Sequence, residues 1–302
     1  MPPCLAGVAA QVTRDVRCIL APNPSAMTGP GTNSYLLGHG AGLALIDPGP
    51  ALPAHQAAIL AALRPGEAIS HIIVTHAHLD HSALAPAIAQ ATGAPVLAFG
   101  DARAGRSAVM QALATAGLVD GGEGVDHGFR PDGLLADGQR LDGKGWALTA
   151  LHTPGHMGGH LCLAVGDLLF SGDHVMGWAS TLVSPPDGDM GAYMASLARL
   201  SVGRWQQFLP GHGPAVADPA ARLADLTRHR KAREAAILAA LGGGPLTPAA
   251  LAARIYTDTA PALMPAAGRN VLAHLVDLAA RSLVSATPAP HPDATFALLP
   301  PV

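Results

Sequence analysis

Through the first two thirds of the chain, apolar positions fall in short runs that stop at glycine, proline or aspartate, the pattern of strands joined by tight turns. Residues 16–20, 33–37, 43–46, 71–74, 95–98, 146–151, 161–165, 167–170 and 205–209 are the predicted strands. An irregular loop over 23–31 separates the first two, and Asp47-Pro48-Gly49 closes the third, so antiparallel pairing is expected there. Gly166 between 161–165 and 167–170 predicts a hairpin. Helical apolar spacing predicts helices over 52–63, with Pro53 near the start, and over 83–90, 108–118 and 191–202. Elsewhere between 101 and 142, glycine and aspartate blur the pattern.

Beyond about residue 218 the strand pattern gives way to alanine-rich helical spacing. One helix is predicted over 222–241, with Leu223, Leu226, Ile237, Leu238 and Leu241 on its apolar face, ended by Gly242-Gly243-Gly244. Thr247-Pro248 supplies an N-cap and a first-turn proline for the next, and 266–281 is a third, with Val271, Leu272, Leu275 and Leu278 on one face. Residues 283–286 and 296–299 complete a two-stranded wing. Helix, helix, helix, wing is winged-helix order, which divides the chain into domains at 1–218 and 219–302. A unit of roughly 80 residues is marginal alone. Its apolar faces are therefore expected to pack on the larger domain, where they would wall whatever site lies at that edge.

Composition narrows the function classes. In 302 residues, 49% hydrophobic content is ample for a core, whereas only 13% are charged and the formal net charge is −3. Lys144 and Lys231 are the only lysines, which disfavours a broad phosphate-binding surface and makes a nucleic-acid partner unlikely. Arg228-His229-Arg230-Lys231-Arg233 is the one basic cluster, and it reads as a solvated helix face. Cys4, Cys18 and Cys162 lack metal or redox spacing and read as reduced packing residues. The start carries no basic leader, and no apolar run reaches the roughly 18 residues of a membrane span, so a cytoplasmic protein with no membrane partner is expected.

The chemistry concentrates at Thr75-His76-Ala77-His78-Leu79-Asp80-His81, directly after the apolar run Ile72-Ile73-Val74. Four metal-competent side chains in six residues cannot all face one ion, because successive residues at a strand end alternate faces; the arrangement suggests a dinuclear centre. Other strand ends add His156 in Thr153-Pro154-Gly155-His156, Asp173 in Ser171-Gly172-Asp173 and His212 in Pro210-Gly211-His212-Gly213.

This set resembles the metallo-β-lactamase-fold hydrolases, whose pattern is HxHxDH, a histidine in a TPGH turn, a GD aspartate and a histidine in a PGHG-like turn, here spread over residues 16–215. Asn23-Pro24-Ser25, Gly31-Thr32-Asn33-Ser34-Tyr35-Leu36, the Asp47 turn and the helical extension are similar to the β-lactamase-like protein 2 group. The resemblance implies an α+β chain: an αββα sandwich followed by a small, mostly helical winged-helix-like domain. It also implies two Zn2+ ions, one on His76, His78 and His156 and the other on Asp80, His81 and His212, with Asp173 bridging and Asp80 orienting the attacking water. Asp47 would accept a ring N–H from a ligating histidine. His152, His160 and His174 are read as packing or supporting residues. The loop over 177–190 departs from the family pattern and is expected to form a substrate wall.

The activity expected from this resemblance is dinuclear zinc hydrolysis of an ester, thioester, lactone or amide in a small or acyl-carrier-bound substrate by metal-activated hydroxide. A single-stranded endoribonuclease is the alternative, since that activity belongs to the β-lactamase-like protein 2 group. A mononuclear iron persulfide dioxygenase is a third reading, disfavoured because Asp80, His81 and His212 occur together.

Overall fold

The structure is a computed structural model, and it describes residues 5–119 and 124–300. Seven strands form the first sheet in chain order: β1 (Ala9–Thr13), β2 (Val16–Leu20), β3 (Asn33–Leu37), β4 (Leu43–Ile46), β5 (Ile69–Ile73), β6 (Val96–Ala98) and β7 (Gly133–Leu134). Pairing is antiparallel from β1 to β4, as expected for β2 to β4, and parallel from β4 to β7. The second sheet holds β8 (Arg140–Asp142), β9 (Ala147–His152), β10 (Leu161–Val165), β11 (Leu168–Gly172) and β12 (Gln207–Pro210), in the order β12-β11-β10-β9-β8. The hairpin at Gly166 joins β10 and β11.

Alternation along each strand decides which layer a side chain enters. Ala44, Ile46 and Ile73 point from the first sheet into the space between the sheets, where they meet Leu161, Leu163, Phe170 and Leu209 from the second. Their neighbours Leu43, Leu45 and Ile72 turn outward, under α1 (Pro53–Ala61) and α3 (Ala85–Thr92). Cys162, Leu169 and Phe208 turn outward on the other side, beneath α5 (Met190–Ser201) and the first half of α6 (Pro219–Leu241). The result is an αββα sandwich. Each fully buried leucine or isoleucine contributes roughly 1.5–3 kcal/mol to it. Two shorter helices, α2 (Leu79–Ser82) and α4 (Ala108–Thr115), complete this part.

The C-terminal part consists of α7 (Pro248–Ile255), a 3-10 turn at Pro261–Leu263, α8 (Met264–Ala280) and the hairpin β13 (Val284–Thr287) with β14 (Thr295–Leu298), a winged helix. Ile237, Leu241, Leu251, Val271, Leu272, Leu275, Leu278 and Phe296 form its core, which Met110 of α4 also enters. Helix α6 therefore belongs to two cores: Leu223 and Leu226 pack on the sandwich, Ile237 and Leu241 on the winged helix. No helix among the described residues is long and apolar enough to cross a membrane.

Two expectations change. β1 lies outside the predicted strands; it is a partly exposed edge strand whose apolar alternation is weak. The basic cluster on α6 is not simply a solvated face, because Arg230 is 1% exposed.

Candidate metal centre

Asp47, the histidine motif, His156, Asp173 and His212 each follow the carboxyl end of a strand, β4, β5, β9, β11 and β12 respectively, so both sheets deliver polar side chains to one edge of the sandwich. All seven predicted donors meet there. His76 Nε2 and His156 Nε2 lie 3.0 and 3.1 Å from His78 Nδ1. His81 Nε2 faces His212 Nε2 at 3.3 Å, and Asp80 Oδ2 lies 3.2 Å from His212 Nε2. Asp173 stands between the groups: Oδ2 is 3.8 Å from His156 Nε2 and 3.2 Å from His212 Nε2, and Oδ1 is 3.5 Å from His81 Nε2. His76, His78 and His156 form one cluster with metal-ligand spacing, Asp80, His81 and His212 another, and Asp173 joins His76 and His81 in a third.

Hydrogen bonds at the rear of the rings decide what their front edges can do. Asp47 Oδ2 accepts from His81 Nδ1 at 2.9 Å and from the Thr75 hydroxyl at 2.8 Å, while Oδ1 accepts from the Thr75 amide at 2.7 Å. With its proton committed to Asp47, Thr75 Oγ1 must accept from His76 Nδ1, 3.0 Å away. His156 Nδ1 donates to the Leu182 carbonyl at 2.7 Å, and His212 Nδ1 to the Gly31 carbonyl at 3.2 Å. In each neutral ring the Nε2 lone pair then faces inward. Convergent lone pairs repel one another unless positive charge sits among them, so this donor set fits divalent cations.

The titration tendencies agree. Burial, with neighbouring imidazoles, holds His76 well below the usual histidine range, takes His78 down to about 3 and lowers His156. For His81 burial acts in the same direction but Asp80, Asp173 and Asp47 outweigh it, leaving it well above that range; for His212 Asp173 does most to outweigh burial, lifting it to about 9. Protons on His81 and His212 thus stand where a cation would relieve the same carboxylates.

Gly211 is needed for this approach: a Cβ there would lie 2.4 Å from Asp173 Oδ1 and 2.6 Å from His81 Cε1. Thr32, whose hydroxyl donates to Asp80 Oδ2 at 3.2 Å, and Thr75 were not among the candidates; only their positions beside the motifs mark them. His160 supports the site, accepting from the Asp173 amide at 3.2 Å, while His152 stacks on Phe99 with centroids 3.9 Å apart. His174 is buried beside Tyr193.

A cavity of about 520 Å³ opens onto the donors. Met27, Leu79, Met176 and Trp178 line it from the sandwich, and Tyr256, Leu263, Ala266, Ala267 and Asn270 from the C-terminal part. The expected wall over 177–190 is only half correct. Trp178 to Leu182 face the cavity, whereas Asp187 pairs with Arg106 at 2.6 Å and Ser184 accepts from Arg269 Nε at 2.7 Å, anchoring the loop instead.

Fold and site together define a two-part metallohydrolase. Residues 27–212 match the family model described as the metallo-beta-lactamase superfamily, and 247–289 match the beta-lactamase associated winged helix domain. The chain belongs to the metallo-β-lactamase superfamily and is a hydrolase of that class. More particularly, it is similar to the Beta-lactamase-like protein 2 homolog of Drosophila melanogaster, 32% identical over 276 residues that cover 89% of each chain. It is also 32% identical, over 236 residues, to the Atrochrysone carboxyl ACP thioesterase of Aspergillus chevalieri, covering 76% of this chain and 67% of that one. Among solved structures, a beta-lactamase domain protein from Burkholderia ambifaria superposes with a TM-score of 0.80 at 22% identity, over 98% of this chain and 95% of the other.

Proposed function

We propose that this protein hydrolyses acyl thioesters, on a small or protein carrier, using two zinc ions. The observation that carries this reading is the cavity. Among its described lining residues there is no lysine or arginine, and most of the surface they expose to it is apolar. Such a cavity suits an uncharged acyl group and offers a phosphodiester backbone no cationic grip. The name of the fungal relative, an ACP thioesterase, agrees with it. The ribonuclease alternative comes from the resemblance to the β-lactamase-like protein 2 group; its only basic cluster lies on α6, and burial of Arg230 removes one of those charges from any RNA surface.

His76, His78 and His156 would hold one ion and Asp80, His81 and His212 the other, with Asp173 between them. When bound, such a pair would supply a water whose pKa falls to about 7 and a Lewis-acid hold on the acyl oxygen. Asp80 is the least enclosed of the seven donors, with 27% of its side chain exposed towards the cavity, and Thr32 fixes its orientation. It would align the attacking water. The water oxygen bonds to the acyl carbon, the carbon–sulfur bond breaks and the pair of electrons leaves on sulfur. A thiol of pKa about 8.5 departs with little help, so no separate acid is required on that side. Met27, Leu79, Trp178 and Leu263 keep bulk water from the acyl chain.

The test is a turnover panel of acyl-carrier and small-molecule thioesters, esters, lactones, β-lactams and single-stranded RNA with the zinc-loaded protein. Thioesters should give the highest kcat/KM; a preference for RNA would reverse the assignment.

A further inference from the structure

We infer that Asn270 and Arg230, from α8 and α6, form a buried clamp that sets the orientation of the His156 imidazole. The inference rests on the reading of His156 as a ligand. His156 Nδ1 donates to the Leu182 carbonyl at 2.7 Å, in a segment, 180–184, with no regular secondary structure to hold it. The amide on the other edge of that same peptide, Val183 N–H, donates to Asn270 Oδ1 at 3.0 Å. Arg230 Nη1 donates to the same oxygen at 3.1 Å, and Arg230 Nη2 donates to the preceding carbonyl, Thr181. Asn270 Nδ2 donates to Ala266 O at 3.3 Å, which leaves Oδ1 the only atom able to accept from the two donors. One peptide plane is therefore gripped by the helices on its rear edge and by the metal-facing ring on its front.

Arg230 is unusual for a buried cation. Its guanidinium has no carboxylate partner among the described residues; it reaches two carbonyl oxygens and lies 5.2 Å from the Tyr193 ring centroid. Burying a charge without an opposite one is costly, so a residue whose job was only to fill space would be better apolar. A planar fork that spans Thr181 O and Asn270 Oδ1 at once does what no apolar side chain can: it fixes the spacing of two consecutive peptides. Both residues act through His156 and are positioning residues. The winged helix thereby reaches the donor set as well as walling the cavity.

The test uses full-length protein and titrates Zn2+ against a chromophoric chelator in two backgrounds, His212→Ala, which keeps the three-imidazole group, and His78→Ala, which keeps the other. Asn270→Ala and Arg230→Met should each weaken binding about 10–100-fold in the first background and less than about threefold in the second. Asn270→Asp, which retains an acceptor for Val183 N–H, should recover most of the loss. Arg281→Met, which cuts the 2.5 Å pair to Glu234 between the same two helices, should leave both affinities unchanged. Should Arg230→Met not fold, Asn270→Ala and its aspartate rescue carry the test. No Zn2+ uptake in the His212→Ala background would overturn the ligand reading itself. Uptake there with Asn270→Ala unaffected, or equal weakening in both backgrounds, would overturn the clamp and leave that reading standing.

Discussion

The strand-end edge and the helical wall face each other across one cavity and are built in opposite ways. At the edge, seven polar side chains crowd together, and four of the five histidines are tied from behind, His81 by Asp47, His76 by Thr75, His212 by Gly31 O and His156 by Leu182 O. On the wall, Tyr256, Leu263 and Ala267 present apolar surface, and Tyr256 is held by the Arg233 guanidinium 4.3 Å above its ring. The difference teaches a division of labour. Chemistry belongs to donors whose positions are over-determined, whereas substrate fit belongs to a surface that tolerates change.

That division predicts the largest effects at the edge. Asp80→Ala and His156→Ala should each lower kcat/KM by about a thousandfold or more, with the far-ultraviolet circular dichroism unchanged, since neither side chain is part of the apolar cores. Near-wild-type turnover in the metal-loaded Asp80→Ala protein would break the comparison outright. Gly211→Ala comes next. Its methyl group would displace Asp173 or His81, so metal content should fall together with kcat, read by elemental analysis and steady-state rates.

On the wall the expected losses are smaller and of another kind. Tyr256→Ala and Leu263→Ser should raise KM for an acyl thioester about tenfold at nearly constant kcat, because they remove contact area and no reacting group. A fall in kcat with KM unchanged would place the wall in the chemistry. Raising salt from about 50 to about 200 mM should change thioester turnover less than roughly threefold, whereas a phosphate-gripping site would lose roughly 10³-fold or more.

What could be read from the chain follows the same line. That the seven candidate residues and Asp47 gather at one edge was legible because the motifs that carry them each follow a short apolar run, so strand, turn and chemistry sit together in sequence. The apolar faces of α6 and α8 were legible too, and with them the expectation that the C-terminal part walls the site, which Tyr256, Leu263 and Asn270 bear out. The role of Arg230 was not. Its contact with Thr181 spans 49 residues and that of Asn270 with Val183 spans 87, and helical periodicity does not reveal which arginine in a basic run turns inward. β1 escaped because a partly exposed edge strand needs little apolar alternation, and the 177–190 loop was only half understood because Arg106 and Arg269, which anchor it, lie far away in sequence.

A further predicted effect, on stability and not on turnover, concerns the frame beneath both regions. Burial takes His55 down to about 4, and His174 and His274 down to about 3, so all three stay neutral in the fold where unfolded imidazoles, titrating near 6.5, take up protons. The unfolded state then binds more protons, and stability falls as pH drops from 6.5 towards 4, by about 1.4 kcal/mol per pH unit for each site. Above 6.5 these groups are neutral in both states and contribute no slope. His274→Leu should remove one share of the dependence between pH 5.5 and 4.5, measured by urea melts. An unchanged slope would show that His274 is protonated in the fold.

The central claim, that the edge is a two-ion centre, is tested most directly by counting metal in the purified protein by elemental analysis after equilibration with Zn2+. Two zinc ions per chain are predicted for the wild type and one for His212→Ala. A single iron per chain, or a stoichiometry that His212→Ala leaves unchanged, would contradict it.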